Sequence, residues 1–245
     1  MSDLIGLRNE LQKCASPAKA KLLARYFKTR PGEYAEGDRF MGVMVPDERR
    51  IAKKYRNLSR TDVLELLHSP WHEERMIALF ILTDQYGRGD TKMRKAIFDL
   101  YLKNTKYINN WDLVDLSAKY IVGAQIANGA ADEKIVLRLA RSRSLWERRI
   151  AVLATFYPIA KGDARLALVV AELLVNDTHD LMHKAVGWML REMGKRCSVK
   201  AEESFLDRHA ATMPRTMLRY SLEHFPPARK KYYMGQRQLR GGSVL

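Results

Sequence analysis

The sequence predicts an all-α protein made of stacked helix pairs, and three observations carry that expectation. Apolar residues recur with helical period through almost every long segment, no convincing alternating strand is found, and turn formers separate the periodic runs. The clearest case lies between Glu73 and Tyr86. There Met76, Ile77, Phe80 and Ile81 fall at i, i+1, i+4 and i+5, one apolar stripe on one helix face.

Taken along the chain, such stripes occupy residues 3–14, 18–29, 47–55, 73–86, 92–103, 111–126, 132–141, 146–159, 163–175, 182–194 and 202–209. Breakers punctuate them at Ser69-Pro70, Gly87-Arg88-Gly89-Asp90, Asn109-Asn110, Asn128-Gly129, Gly162, Asn176-Asp177 and Pro214. Ser69-Pro70 and Thr91 read as helix starts, through a capping hydroxyl and a first-turn proline.

Composition bounds the function. With 47% hydrophobic and 29% charged residues the chain is globular rather than disordered, and 245 residues can bury a full core. No run of eighteen apolar residues occurs, which predicts no membrane span, and the start carries Asp3 and Glu10 in place of a long apolar signal segment. Two cysteines, Cys14 and Cys197, suit a reducing, cytoplasmic setting. Lys and Arg total 43 against 28 Asp and Glu. That net charge of +15 points to a polyanionic partner, nucleic acid before an anionic membrane surface.

Internal repetition sharpens the architecture. The segments that begin at Glu74, Trp111, Glu147 and His183 align with steps of 37, 36 and 36 residues. A two-helix unit recurring every about 35–45 residues marks a HEAT-like α-solenoid. Stacking such units buries a continuous core and leaves a concave surface, here expected to be a basic groove wide enough for duplex DNA. Residues 1–225 are expected to form one repeat domain, followed by a basic tail at 226–245 that includes Arg229, Lys230, Lys231, Arg237 and Arg240.

The repeats also serve as their own control. Where three units have Ala78, Ala151 and Gly187, the fourth has Asp115. Where the others have Leu79, Leu116 and Val152, one has Trp188; Arg149 stands against Met76, Leu113 and Ala185; and Trp111 stands against Glu74, Glu147 and His183. Taken singly, a tryptophan fills a helix gap, an aspartate is solvated and an arginine is a surface charge. Together they form a chemical unit. A carboxylate stabilises a developing cation, aromatic faces line a sugar-like group, and a guanidinium grips phosphate. Trp111 and Asp115 are four apart and so share one helix face. Such a set suits cleavage through an oxocarbenium-like transition state.

Asn109-Asn110-Trp111-Asp112-Leu113-Val114-Asp115, Leu145-Trp146-Glu147-Arg148-Arg149-Ile150-Ala151 and Lys184-Ala185-Val186-Gly187-Trp188-Met189-Leu190-Arg191-Glu192 resemble the AlkD-type alkylpurine DNA glycosylases, bacterial DNA alkylation repair proteins of HEAT-like repeats. Ala24-Arg25-Tyr26-Phe27-Lys28 and Phe40-Met41-Gly42-Val43, with Pro46, Arg49 and Arg50, are similar to that family's N-terminal pattern. The resemblance implies hydrolysis of the N-glycosidic bond of cationic N3- or N7-alkylated purines in duplex DNA, by a monomer without metal or other cofactor. By motif position, Asp115 is then the catalytic carboxylate. Trp111 and Trp188 face the damaged nucleotide's deoxyribose, and Arg149 lies at its backbone. The family acts without a deep pocket for the base, and some members carry a tryptophan where this chain has Asn110.

Arg148, Lys184, Arg191 and Lys195 are candidate DNA contacts, because basic residues cluster at 141–149 and 184–196 with few balancing acids, and Tyr26 joins them from the N-terminal segment similar to the family's. Two further readings are weaker. His179 and His183 have the i, i+4 spacing of a zinc-peptidase helix but lack its glutamate and a third ligand, so no metal site is assigned. The alternative from another class is a non-catalytic HEAT-repeat protein that binds nucleic acid or a protein partner.

Overall fold

The structure is a computed structural model that describes residues 3–236. It is all-helical: among the described residues there is no strand, and one isolated bridge joins Arg39 and Trp71. The chain forms two compact units, Met1–Ile121 and Val122–Leu245.

The first unit contains α1 (Asp3–Cys14), α2 (Pro17–Tyr26), α3 (Val45–Lys54), α4 (Arg60–Leu67), α5 (His72–Arg88), α6 (Thr91–Lys103) and α7 (Trp111–Ala118). Helix α5 is its centre and packs against α3, α4, α6 and α7. It is buried on every side from His72 through Leu79, so its apolar residues extend beyond one stripe. The loop from α2 to α3 is held close to α2 by Gly42, whose φ is +84°. A side chain there would meet the Ser16 carbonyl oxygen at 2.1 Å, so only glycine fits.

A π turn at Lys119–Gly123 leads into the second unit. That unit holds α8 (Ala124–Ala127), α9 (Lys134–Ala140), α10 (Leu145–Ala154), α11 (Phe156–Ala160), α12 (Arg165–Leu174), α13 (Asp180–Arg196), α14 (Val199–His209), α15 (Arg215–Ser221) and α16 (Pro227–Gly235). Helix α13 is its centre and packs against α10, α12, α14 and α15. At Gly187 a Cβ would lie 2.4 Å from the Met217 carbonyl oxygen, so the small residue lets α13 approach α15 closely.

The four repeat segments found in the sequence begin within the first four residues of α5, α7, α10 and α13. The α14–α15 pair adds a further unit that the repeat comparison missed. Other expectations need correction. Helix α5 starts at His72, and Ser69 Oγ accepts from the Trp71 amide in the turn before it rather than capping the helix. Asp90, not Thr91, caps α6, accepting from the Met93 amide at 2.7 Å. The stripe at 146–159 is two helices that part at Thr155. Pro158 has no N–H to give the carbonyl four residues earlier. Within the basic tail, residues Pro227–Gly235 are helical and Tyr233 is fully buried, donating to Asp207 at 2.9 Å. Arg237 and Arg240 lie outside the described residues.

Candidate active site

The first turn of α5 places four charged or titratable residues, His72, Glu73, Glu74 and Arg75, inside the unit. Buried charge is costly unless paired, and each of the four finds partners. Glu73 accepts from the backbone amides of Met41 and Gly42 at 2.9 and 2.8 Å. Glu74 receives Arg8 of α1 at 3.1 Å. Arg75 pairs with Asp38, and His72 bridges two carboxylates, Nδ1 to Asp38 and Nε2 to Asp112, both at 2.9 Å.

These contacts set the protonation states. Burial alone would lower the pKa of His72, but Asp112 and Asp38 outweigh it and raise the imidazole to about 9. Burial likewise works against an ionised Asp38, and His72 with Arg75 still holds its carboxyl below the usual range. Glu48 on α3 has no such cation in hydrogen-bonding reach among the described residues. Burial pushes its carboxyl up to about 8, with Glu73 and Asp112 adding to the effect against the opposing charge of His72.

Above this cluster lies a cavity of about 720 Å³, lined by residues of the first unit only. Phe40 stacks on His72 at 4.5 Å, Phe27 on Phe40 at 5.1 Å, and Trp111 on Phe27 at 5.3 Å. Tyr26, 65% exposed, meets the Trp111 ring edge-on at 6.1 Å. Trp111 is the first residue of α7, and Asn110 caps that helix from a fully buried position. Asp115, one turn along from Trp111, is half-buried on the same cavity wall. The first unit therefore brings Tyr26, Trp111 and Asp115 together.

The remaining candidates belong to the second unit. Arg149 is 5% exposed and donates to the Leu181 carbonyl at 2.7 Å. Trp188 is half-buried, its ring 6.1 Å from that of Phe156. Arg148 donates to Asp177 at 2.7 Å and to the carbonyls of Ser142 and Arg143, which ties a loop to the head of α10. Lys184 pairs with Asp180, and Arg191 with Glu192 and Glu223. Lys195 is exposed. The two histidines have local work: His179 Nδ1 accepts from the Leu181 amide, capping α13, and His183 Nε2 lies 2.6 Å from the Asp177 carbonyl.

Sequence reasoning passed over Asp38, Glu48, His72 and Asp112. One signal was present: His72-Glu73-Glu74-Arg75 runs straight into an apolar stretch, which leaves no polar face for all four.

A helical-repeat chain of net charge +15, with a carboxylate and a tryptophan on one cavity wall, suits a polyanionic partner such as nucleic acid. The family of DNA alkylation repair enzymes matches residues 7–225, and the chain belongs to that family. Among solved structures, a predicted DNA alkylation repair enzyme from Enterococcus faecalis is similar, with a TM-score of 0.67 at 16% identity. The likeness covers 87% of this chain and 97% of that one, and it shows a common fold. No curated protein matches.

Proposed function

We propose that this DNA alkylation repair enzyme is a monomeric N-glycosylase that excises cationic N3- and N7-alkylated purines from duplex DNA. The observation that supports this reading best is the pairing of Asp115 with Trp111, one turn apart on the wall of an aromatic cavity.

The chemistry asks little of the protein. Alkylation at N7 or N3 makes the purine a cation, which departs as a neutral base without being protonated. No general acid is needed at the base, so one carboxylate suffices. As the bond lengthens, positive charge moves onto the deoxyribose. Asp115 stabilises that charge and orients water, while the Trp111 ring offers its electron-rich face to the sugar. A preorganised group of this kind contributes about 3–4 kcal/mol. Trp188 is the aromatic face that the second unit offers to sugar, and Arg149 holds phosphate only once its guanidinium leaves the Leu181 carbonyl. Tyr26, Arg148, Lys184, Arg191 and Lys195 add to DNA binding, the cations of this set through phosphates.

The test is incubation with duplex DNA that carries N7-methylguanine, with the free base and the abasic sites counted together. Equal release of both supports the reading. Tight, salt-sensitive duplex binding with no base release would favour a non-catalytic DNA-binding protein.

A further inference from the structure

The first unit holds a second recess, where the loop between α3 and α4, the end of α5 and the start of α6 meet. It shares no lining residue with the cavity beside Trp111 and Asp115. We propose that this recess binds a phosphate-bearing ligand. The proposal goes beyond the glycosylase reading and does not rest on it.

Charge is the first observation. Arg56, Arg60, Arg88 and Lys92 line the recess against a single acid, Asp90. That acid is already engaged, because its Oδ1 accepts from the Met93 amide as the cap of α6. Arg56, Arg60 and Lys92 are exposed, and none of the three has an ion pair among the described residues. Unpaired cations around one recess repel one another, and an anion held between them removes that repulsion.

The second observation is where two of these cations stand. Arg60 is the first residue of α4 and Lys92 the second of α6. The helix dipole favours an acid in the first turn and works against a cation. Both positions therefore carry a charge that their own helices disfavour, and a local rule broken without a folding gain points to a ligand.

The third is a wall fixed in advance. Gln85 donates to the carbonyls of Arg56 and Leu58 at 3.0 and 2.9 Å. Arg88, paired with Asp84, donates to the Arg56 carbonyl and to Asn57 Oδ1, both at 3.4 Å. The loop is thus held in place before a ligand arrives, which lowers the cost of binding. Guanidinium forks match phosphate oxygens in pairs, and the lysine adds a point charge. Leu58, Met93 and Ala96 supply an apolar part of the lining, suited to the organic portion of a phosphate ester. The volume, about 610 Å³, lies within the about 300–1,000 Å³ range of small-molecule sites.

The test is calorimetric titration of the full chain with inorganic pyrophosphate at low salt. Saturable binding is expected, about tenfold or more weaker in the double variant Arg60→Gln, Lys92→Gln. A second double variant, Lys13→Gln, Lys53→Gln, removes the same charge from exposed lysines outside the recess and should bind within about twofold of the wild type. The recess variant should keep its thermal midpoint, since it removes cations from first helical turns. Two further titrations name the source of the phosphate. Adenosine diphosphate bound more tightly than pyrophosphate, and lost in the recess variant, marks a free phosphate ester. Duplex DNA bound more weakly by the recess variant alone marks a nucleic-acid backbone. No saturable binding of pyrophosphate up to millimolar concentration, or equal loss in the two double variants, would overturn the proposal.

Discussion

The Nε2 of His72 lies 2.9 Å from Oδ2 of Asp112, and this bridge fastens the start of α7 to the start of α5. Its effect reaches the candidate active site because Asp112 follows Trp111 directly and precedes Asp115 by three residues. The other ring nitrogen holds Asp38, itself almost completely buried. Removing the imidazole takes the His72 cation from Asp112 and leaves Asp38 to Arg75. His72→Ala is expected to lower stability by about 3 kcal/mol, as breaking a buried ion pair does, read from the urea midpoint. In the folded fraction, base excision should fall further than DNA binding, because Trp111 and Asp115 lose their anchor. An unchanged midpoint would contradict the role given to this bridge.

A pH dependence follows from the raised groups. His72 binds its proton more tightly when folded, about 9 against an ordinary 6.5, and so do Glu48 and Glu202, the latter pushed up by its burial on α14 and by neighbouring Glu203, to about 8 and about 9 against 4.5. A group with a raised folded pKa stabilises the fold at low pH and loses that contribution as pH climbs to the folded value. The window open to all three is pH 6.5 to 8, and His72 with Glu202 extends it to 9. The thermal midpoint should therefore fall steadily from pH 6.5 to 9. Glu202→Gln should flatten that fall, since an amide does not titrate. A midpoint that rises over this window would show the signs to be wrong.

Two helical glycines are expected to behave oppositely. A methyl group at Gly187 collides with the Met217 carbonyl and the Tyr220 Cβ, whereas one at Gly87 meets nothing within 4 Å. Gly187→Ala should cost about 1–3 kcal/mol through overpacking. Gly87→Ala should add about 0.5–1 kcal/mol by restraining the unfolded chain. Urea unfolding of both variants decides it. Equal effects would mean that α13 and α15 are not in close backbone contact.

Arg148 and Lys195 are both candidate DNA contacts, but they differ in their surroundings. Arg148 is bound to Asp177, whose side chain is 5% exposed, and to two carbonyls; Lys195 is exposed. Arg148→Ala is expected to lower stability by about 2 kcal/mol by taking the guanidinium from Asp177, which keeps the His179 amide as a donor. Lys195→Ala should leave stability alone, weaken duplex binding, and reduce the salt slope by about 0.9 for one lost phosphate contact. An unaltered slope would remove Lys195 from the DNA-binding set.

The helices that were legible in the sequence are those long enough for their apolar residues to repeat. Helix α4 escaped because its eight residues place only Val63, Leu66 and Leu67 inside, too few to define a period. Trp111 and Asp115 were legible for a different reason: the repeats supplied an expected residue at each position, and these two broke it. The Asp38–His72–Asp112 bridge had no comparable signal. Asp38 sits in a loop 34 residues from His72, and loops carry no period from which to infer a contact. Glu48 was concealed by its position. An acid in the first turn of a helix is ordinarily read as a solvated partner of the helix dipole, and only the packing of α3 against α5 turns it inward.

The most direct test of the central claim is single-turnover release of N7-methylguanine from duplex DNA by the wild type and by Asp115→Asn, in metal-free buffer. The substitution keeps the shape of the side chain and removes its charge. Loss of a stabilising carboxylate should slow excision by about a hundredfold or more, with duplex affinity little changed. Excision at the wild-type rate by Asp115→Asn would contradict the assignment of this carboxylate to the reaction.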